Sequence, residues 1–194
     1  MMLGFSFFIG IIILLFYSLF VYYSDKKWQK KPIQNFPFIY HGVEYWYSRS
    51  VACVLLCFGK NADGEWCVLA NKRGSGTPDF QGYWNCSCGY LDYNEFGEQC
   101  VIRETREETN FNVPIEKVKL FGVSTDPNNN RQNVSLQYYA VIDDIISDEE
   151  LSSKNSEKDE VEAIKWIPIS KIDSYEWAFA HDSLIKKIIT KEIF

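Results

Sequence analysis

The longest apolar run in the chain lies at its amino terminus. Residues 3–23 include no charged side chain, and about 20 helical residues are enough to cross the hydrocarbon core of a bilayer. A helix also satisfies its backbone polar groups internally, as a lipid environment demands. The pattern therefore predicts a transmembrane anchor within residues 1–24, followed by a basic, proline-containing linker at residues 25–37.

The charges that follow this run predict its orientation. Four lysines stand directly after it, whereas only the amino terminus precedes it: Lys26, Lys27, Lys30 and Lys31. The positive-inside rule then predicts a single-pass membrane protein whose remaining residues face the cytoplasm. A cleaved signal peptide fits less well, because a basic n-region and a small-residue cleavage site are both missing. A buried helix in a small domain also fits less well, because this run is apolar on every side.

Beyond the linker, the hydrophobic pattern alternates between strand and helix periods, which predicts a mixed α/β domain at residues 38–194. Aromatic residues alternate around a His-Gly pair, which favours a hairpin at 38–47. Strands are predicted at 50–58, 66–70, 83–91, 118–125, 134–142 and 161–167, and helices at 95–109 and 181–189. The acidic, serine-rich segment 147–160 is predicted to be a solvated loop. This order of elements favours a mixed sheet covered by helices.

Composition narrows the choice of partners. The chain has 20 Lys+Arg against 26 Asp+Glu, a net charge of -6, which disfavours nucleic-acid binding through a basic surface. A small-molecule partner fits this balance better. The six cysteines, in a domain predicted to face a reducing compartment, are expected to be reduced and to act as small buried hydrophobes.

Three acidic residues share one face of the predicted central helix: Glu104, Glu107 and Glu108. Like charges at these spacings repel one another, and a divalent cation would remove that repulsion. Oxygen-only ligands favour a hard ion, Mg²⁺ or Mn²⁺. Arg103 is placed to pair with Glu107 one turn later or with Glu95 from the preceding loop. The alternative is a solvated acidic face with ordinary charge pairing.

The spacing of these charges within a longer pattern resembles the signature of Nudix hydrolases. Seven residues stand at the positions that the signature requires: Gly89, Glu95, Arg103, Glu104, Glu107, Glu108 and Phe111. Two positions depart from it, since Thr105 replaces an aliphatic residue and Asn110 replaces a glycine. Asn110 suits a left-handed helix end, and the Thr105 hydroxyl can bond to a carbonyl one turn earlier. The resemblance extends over roughly residues 40–194 and implies an α/β/α sandwich with a mixed sheet.

The resemblance implies Mg²⁺-dependent hydrolysis of a diphosphate bond, giving two monophosphates from a nucleoside diphosphate linked to another moiety. Its metal ligands would be Glu104, Glu107 and Glu108, with the Gly89 carbonyl as a further ligand. Arg103 and Glu95 would orient these ligands. The general base stays open between Glu107 or Glu108 and an acidic loop that contains Glu157, Asp159 and Glu160.

Substrate-binding residues are less sharply indicated. Arg49, Lys72, Arg73 and Arg131 are candidates for phosphate or nucleoside contacts, although each is also an ordinary surface charge. Tyr83, Trp84, Trp177 and Phe179 are candidates for stacking on a base, although core packing explains them equally simply. The alternatives are a nucleotide-binding sensor without catalysis, a hydrolase of a lipid-linked diphosphate, and a membrane interaction protein. The sequence has no specific signal for or against an oligomer.

Overall fold

A computed structural model describes residues 35–128, 133–143, 145, 147–153 and 159–193. The chain divides into two compact units, residues 1–48 and 49–194. In the described residues no helix is both long and apolar enough to cross a membrane. The predicted anchor and the predicted linker up to residue 34 lie outside the described residues.

The described part of the first unit is an antiparallel hairpin. Strand β1 (Phe36–Tyr40) pairs with β2 (Val43–Tyr47). The two turn residues between them, His41 and Gly42, both have positive φ, at 48° and 77°, which suits a tight turn that follows the twist of the strands. The predicted hairpin is confirmed, and it begins two residues earlier than expected.

The second unit is built on a seven-stranded mixed sheet. Its main order is β5-β4-β3-β8-β7, while β6 also pairs with β3 and β9 also pairs with β4. The β3–β8 pair is parallel and the other pairs are antiparallel. The strands are β3 (Val51–Lys60), β4 (Trp66–Arg73), β5 (Trp84–Asn85), β6 (Cys88–Tyr90), β7 (Lys119–Ser124), β8 (Val134–Val141) and β9 (Val161–Pro168).

In the part of the second unit that the structure describes, three α-helices and several short turns accompany the sheet. The helices are α1 (Gly97–Thr109), α2 (Asp148–Ser153) and α3 (His181–Ile188). Short 3₁₀ turns cover Ile115–Lys117, Ile169–Ser174 and Ala178–Ala180, and a π-helical turn covers Ile189–Ile193. Helix α1 begins two residues later than predicted.

Strand β3 has no charged residue before its exposed last residue, Lys60, and both of its faces are buried from Cys53 to Gly59. Leu55 and its neighbours at alternate positions share a core with Val101 of α1. Leu56 and its alternate neighbours share a second core with Ile185 of α3. Helices therefore cover both faces of the sheet, as the predicted α/β/α sandwich requires.

Two predicted elements differ from the structure. The segment 147–160 is not entirely a loop, because α2 forms where Leu151 is fully buried and Asp148 accepts a hydrogen bond from the Trp166 amide at 2.9 Å. The strand predicted at 83–91 is interrupted by a bend at Cys86 and Ser87. The amide of Cys86 leaves the sheet to bond to a side chain, so the strand pattern alone could not reveal the break.

Candidate active site

The guanidinium of Arg103 organises the acidic face of α1. It binds both oxygens of Glu95, through Nε at 2.8 Å and Nη2 at 3.0 Å. Its Nη1 contacts Glu104 at 2.6 Å and Glu107 at 3.1 Å. Both pairings predicted for Arg103 are thus present together, and the Arg103 hydrogen bonds lower the pKa of Glu95. The helix presents Glu104 and Glu107 from fixed positions because one planar fork holds them.

Glu108 has a different environment from its two neighbours. Its Oε2 accepts hydrogen bonds from the Asn71 side chain at 2.8 Å and from the Cys88 amide at 3.3 Å. Burial and then the charge of Glu104 raise the pKa of Glu108 to about 8, although its hydrogen bonds to Asn71, Ser87 and Cys88 act in the opposite direction. A proton or a cation at this carboxyl therefore stabilises the site.

Gly89 allows the sheet to approach the acidic face closely. A Cβ at this position would overlap the Glu104 carboxylate. The first glycine of the signature is therefore needed for space, since any side chain here would displace Glu104. Gly89 lies in β6 and pairs with Cys53 of β3, so the sheet holds its backbone beside the site.

The acidic face lines a cavity of about 480 Å³. Glu104, Glu107 and Glu108 line it together with Arg103 and Gly89, whereas the wall also includes Arg73, Asp79, Glu160, Phe179 and His181. The lining of one cavity thus combines carboxylates with a cation and an aromatic ring. This is the charge distribution that a ligand combining anionic and flat apolar groups requires.

Arg73 is the predicted substrate-binding arginine that the structure brings to this cavity. Its Nη2 is paired with Asp79 at 2.9 Å, and its Nε donates to the Asp79 carbonyl at 3.0 Å. Its guanidinium lies 5.0 Å from the ring centre of Phe179, so a cation–π contact and an ion pair hold the same side chain. Strand β4 ends at Arg73, three residues beyond the predicted end at Ala70.

The other candidates lie elsewhere. Arg49 donates to the carbonyls of Thr125 at 3.1 Å and Asn133 at 2.9 Å and does not line the cavity. Lys72 forms an exposed ion pair with Glu162, and Arg131 lies outside the described residues. Of the aromatic candidates Tyr83, Trp84, Trp177 and Phe179, only Phe179 lines the cavity. Of the alternative bases, Glu160 lines the cavity, Asp159 does not, and Glu157 lies outside the described residues.

Sequence reasoning missed the groups that position these residues. Asn71, which is 1% exposed, holds Glu108, and Asp79 holds Arg73. His181 is 5% exposed, and its Nδ1 accepts a hydrogen bond from the Cys86 amide at 3.0 Å. In the sequence, Asn71 stands out only as a polar residue directly after a predicted buried strand. His181 stands out only as a histidine at the start of a predicted amphipathic helix.

We expect His181 to make the protein sensitive to acid. Burial, and then the charge of Arg73, lower the pKa of His181 from 6.5 to about 4. The unfolded state therefore takes up a proton first, so the contribution to stability is complete above pH ~6.5 and is lost as the pH falls toward 4. The loss is on the order of 3 kcal/mol. Denaturant unfolding across this range should show a smaller loss for His181→Asn, and an equal loss in both proteins would contradict the assignment.

The two departures from the signature are accommodated locally. Thr105 is 1% exposed, and its hydroxyl donates to the Val101 carbonyl at 2.6 Å. Asn110 ends α1 with φ 55° and ψ 19°, a left-handed conformation. Both sequence predictions about these residues are confirmed, and neither substitution disturbs the charged set.

The donor set suits a hard divalent cation. Carboxylate and carbonyl oxygens line one cavity, and burial and then the charge of Glu104 raise the pKa of Glu108, two costs that a bound cation would offset. Across the described ranges, however, no three acidic, histidine or cysteine side chains are grouped closely enough to hold an ion in their present orientation. Arg103 draws Glu104 and Glu107 toward itself while Asn71 holds Glu108, so binding requires side-chain rotation.

Comparison with known families gives one clear match. A family model described as the NUDIX domain matches residues 46–188, which is most of the chain. No curated protein sequence matches the chain significantly.

Solved structures with the same fold are numerous. The NUDIX domain of Shewanella oneidensis NrtR, crystallised with ADP ribose, is 20% identical with a TM-score of 0.61, over 75% of this chain and 89% of that one. A mutT/nudix family protein from Listeria innocua is 24% identical with a TM-score of 0.54, over 74% and 94%. The C. elegans Ap4A hydrolase is 18% identical with a TM-score of 0.50, over 74% and 98%. At these identities the likeness extends to the fold.

Proposed function

This chain belongs to the Nudix family and is a hydrolase of phosphoanhydride bonds, and we propose from this premise that it cleaves a nucleoside diphosphate linked to another moiety. Water would attack one phosphorus, the bridging oxygen would leave with the other, and two monophosphates would result. The observation that carries the proposal is the shared cavity, which the Arg103-held glutamates and Glu108 line together with Arg73 and Phe179.

The family requirement for a divalent metal fits the residues present. Glu104, Glu107 and Glu108 would hold Mg²⁺ or Mn²⁺, with the Gly89 carbonyl as a further ligand. A bound cation of this kind neutralises phosphate charge and acidifies water. Arg103 pairs with Glu104 and Glu107, and its two bonds to Glu95 fix the position of the guanidinium itself.

Glu108 is the base that this arrangement favours. Glu107 is engaged by a cation, because Arg103 Nη1 donates to its Oε2 at 3.1 Å. Glu108 is held instead by two neutral donors, the Asn71 side chain and the Cys88 amide, which withdraw less charge from a carboxylate than a guanidinium does. We therefore assign proton removal from the attacking water to Glu108, and electrostatic positioning to Glu104, Glu107, Arg103 and Glu95.

Arg73 and Phe179 support the choice of substrate class. Phe179 is 38% exposed, and the guanidinium of Arg73, whose charge is partly compensated by Asp79, lies 5.0 Å from its ring centre. A nucleobase can stack on such a surface while the diphosphate extends toward α1. NrtR, which shares the fold, was crystallised with ADP ribose, a compound of this class.

A substrate panel tests the proposal. The full-length chain is incubated with Mg²⁺ and ADP-ribose, a nucleotide sugar, coenzyme A, a diadenosine polyphosphate and a CDP-lipid, and monophosphate release is measured. We expect metal-dependent release from a nucleoside diphosphate derivative. Activity confined to the lipid-linked compound would favour the alternative substrate class. Tight binding without product would favour the nucleotide sensor.

We also propose that the amino-terminal segment attaches the protein to a membrane. The composition of residues 1–24 supports a membrane anchor, and the lysines after it support an orientation in which the catalytic unit faces the cytoplasm. Carbonate-resistant membrane association of the full chain, lost on deletion of residues 1–24, is the expected result. Release of the full chain by carbonate would contradict the anchor.

We expect Mg²⁺ binding to release a proton. The raised pKa of Glu108, about 8, means that the metal-free carboxyl is largely protonated at neutral pH, whereas a metal ligand must be ionised. Calorimetric titration in buffers of different ionisation enthalpy should give close to one proton per chain at neutral pH and less above pH ~8. The Glu108→Gln variant should release no proton on Mg²⁺ binding. An unchanged proton release in that variant would show that Glu108 is not a metal ligand.

A further inference from the structure

We propose that His181 is a positioning residue for Glu108, acting through the bend that separates β5 from β6. The inference rests on the proposed function, because Glu108 is assigned there as metal ligand and base. His181 does not contact Glu108. It holds the backbone segment that supplies part of the hydrogen bonding to Glu108.

The contacts form a short continuous path. The Nδ1 atom of His181 accepts the Cys86 amide proton at 3.0 Å. Two residues further along, the Cys88 amide donates to Glu108 Oε2 at 3.3 Å. The imidazole therefore fixes Cys86 at the start of the bend, and the first residue after the bend, Cys88, donates to the carboxyl.

The bend has a second attachment on the sheet side. The Leu55 amide donates to the Ser87 carbonyl at 3.0 Å. Cys86 and Ser87 are 0% and 2% exposed, so water cannot replace a missing partner of the Cys86 amide without opening the structure. An unpaired buried amide is costly. Loss of the His181 acceptor is thus expected to shift the bend rather than leave it in place.

The chain adopts unfavourable backbone angles immediately before His181. Phe179 and Ala180 both have positive φ, at 57° and 56°, a conformation that is unfavourable for non-glycine residues. The Trp84 amide donates to the Glu176 carbonyl at 2.8 Å, which ties this segment to β5. Strained residues held by their surroundings often accompany functional geometry. Here they set His181 against the bend and Phe179 against the cavity.

Substitutions of His181 that keep or remove its hydrogen-bond acceptor distinguish a positioning role from a role in core packing. His181→Asn retains an acceptor, because the asparagine Oδ1 stands about where the imidazole Nδ1 does. His181→Leu retains apolar volume but has no acceptor. Leu184→Ala, on the same helix, is the matched control, since Leu184 is 8% exposed and packs in the core without a hydrogen bond to the bend. It lowers stability without removing the acceptor.

The test measures Mn²⁺ affinity by electron paramagnetic resonance, alongside kcat and KM, for the full-length chain and the three variants. We expect His181→Leu to weaken Mn²⁺ binding about tenfold, the lower end of the range typical of residues that support metal ligands, and to lower kcat with little change in KM. His181→Asn should stay close to wild type, as should Leu184→Ala despite a lower melting temperature. If His181→Leu does not fold, His181→Gln replaces it, because its oxygen is displaced by one methylene and should also weaken binding.

The possible outcomes distinguish this inference from the proposed function. Equal Mn²⁺ affinity in wild type and His181→Leu would overturn the positioning role alone, and so would equal weakening in Leu184→Ala. Failure of His181→Asn to preserve affinity would also overturn it. A wild-type chain that neither binds Mn²⁺ nor releases monophosphate would overturn the proposed function and this inference together.

Discussion

Glu108→Gln should lower kcat for diphosphate hydrolysis by about 10³-fold, within the range that general bases contribute. The substitution preserves the shape of the side chain, and its amide oxygen can still accept from Asn71 and Cys88. It removes the basic oxygen and the ligand charge at once. The fold should remain intact, because burial already raises the pKa of Glu108 to about 8 and the protein tolerates a neutral group there.

The control for this prediction lies on the same helix. Glu98 belongs to the first turn of α1 and does not line the cavity, so Glu98→Gln makes the same chemical change outside the site. Initial rates at saturating Mg²⁺ and circular dichroism measure the two effects. A wild-type kcat in Glu108→Gln would show that Glu108 has no catalytic role. An equal loss of kcat in Glu108→Gln and Glu98→Gln would show that the rate depends on the overall charge of the helix and not on Glu108.

Arg103→Met should have the largest effect on stability together with a strong effect on rate. The substitution leaves Glu95, Glu104 and Glu107 without their shared cation. Breaking a fully buried pair costs about 3–5 kcal/mol. The Arg103 side chain is 25% exposed, so we expect a loss of about 2 kcal/mol in the free energy of unfolding. The rate should fall because the carboxylates lose their common orientation.

Arg103→Lys should not restore the wild-type behaviour. An ammonium group cannot hold both oxygens of Glu95 and reach Glu104 and Glu107 with a rigid fork. Arg106→Met on the exposed side of α1 is the matched control and should change unfolding by less than about 0.5 kcal/mol. Denaturant titrations give these values, and full activity with wild-type stability in Arg103→Lys would contradict the role of the fork.

Local sequence rules predicted the parts of the site that lie on one helix. The i, i+3 and i+4 spacing placed three glutamates on one face of α1, and both candidate partners of Arg103 were correct. The left-handed Asn110 and the back-bonded Thr105 follow from the intrinsic preferences of those residues. The order of strand and helix periods predicted the fold class. The apolar run of β3 was informative because a strand buried on both faces indicates a sheet covered by helices on both sides.

Long-range partners could not be predicted in this way. His181 and Cys86 are 95 positions apart, and Asn71 and Glu108 are 37 apart. Such pairs depend on sheet register and helix placement, which hydrophobic periodicity does not specify. The same reason explains why the bend at Cys86 and the short helix around Leu151 were missed, since each is formed by contacts with distant parts of the chain.

The most direct test of the central claim is hydrolysis in H₂¹⁸O by the full-length chain, with and without Mg²⁺, followed by mass spectrometry of the products. The account predicts two monophosphates from a nucleoside diphosphate derivative, with one ¹⁸O atom in one of them, and no turnover after chelation. If no compound of the substrate panel is cleaved at saturating Mg²⁺ or Mn²⁺, or if turnover is unaffected by chelation, the account is contradicted.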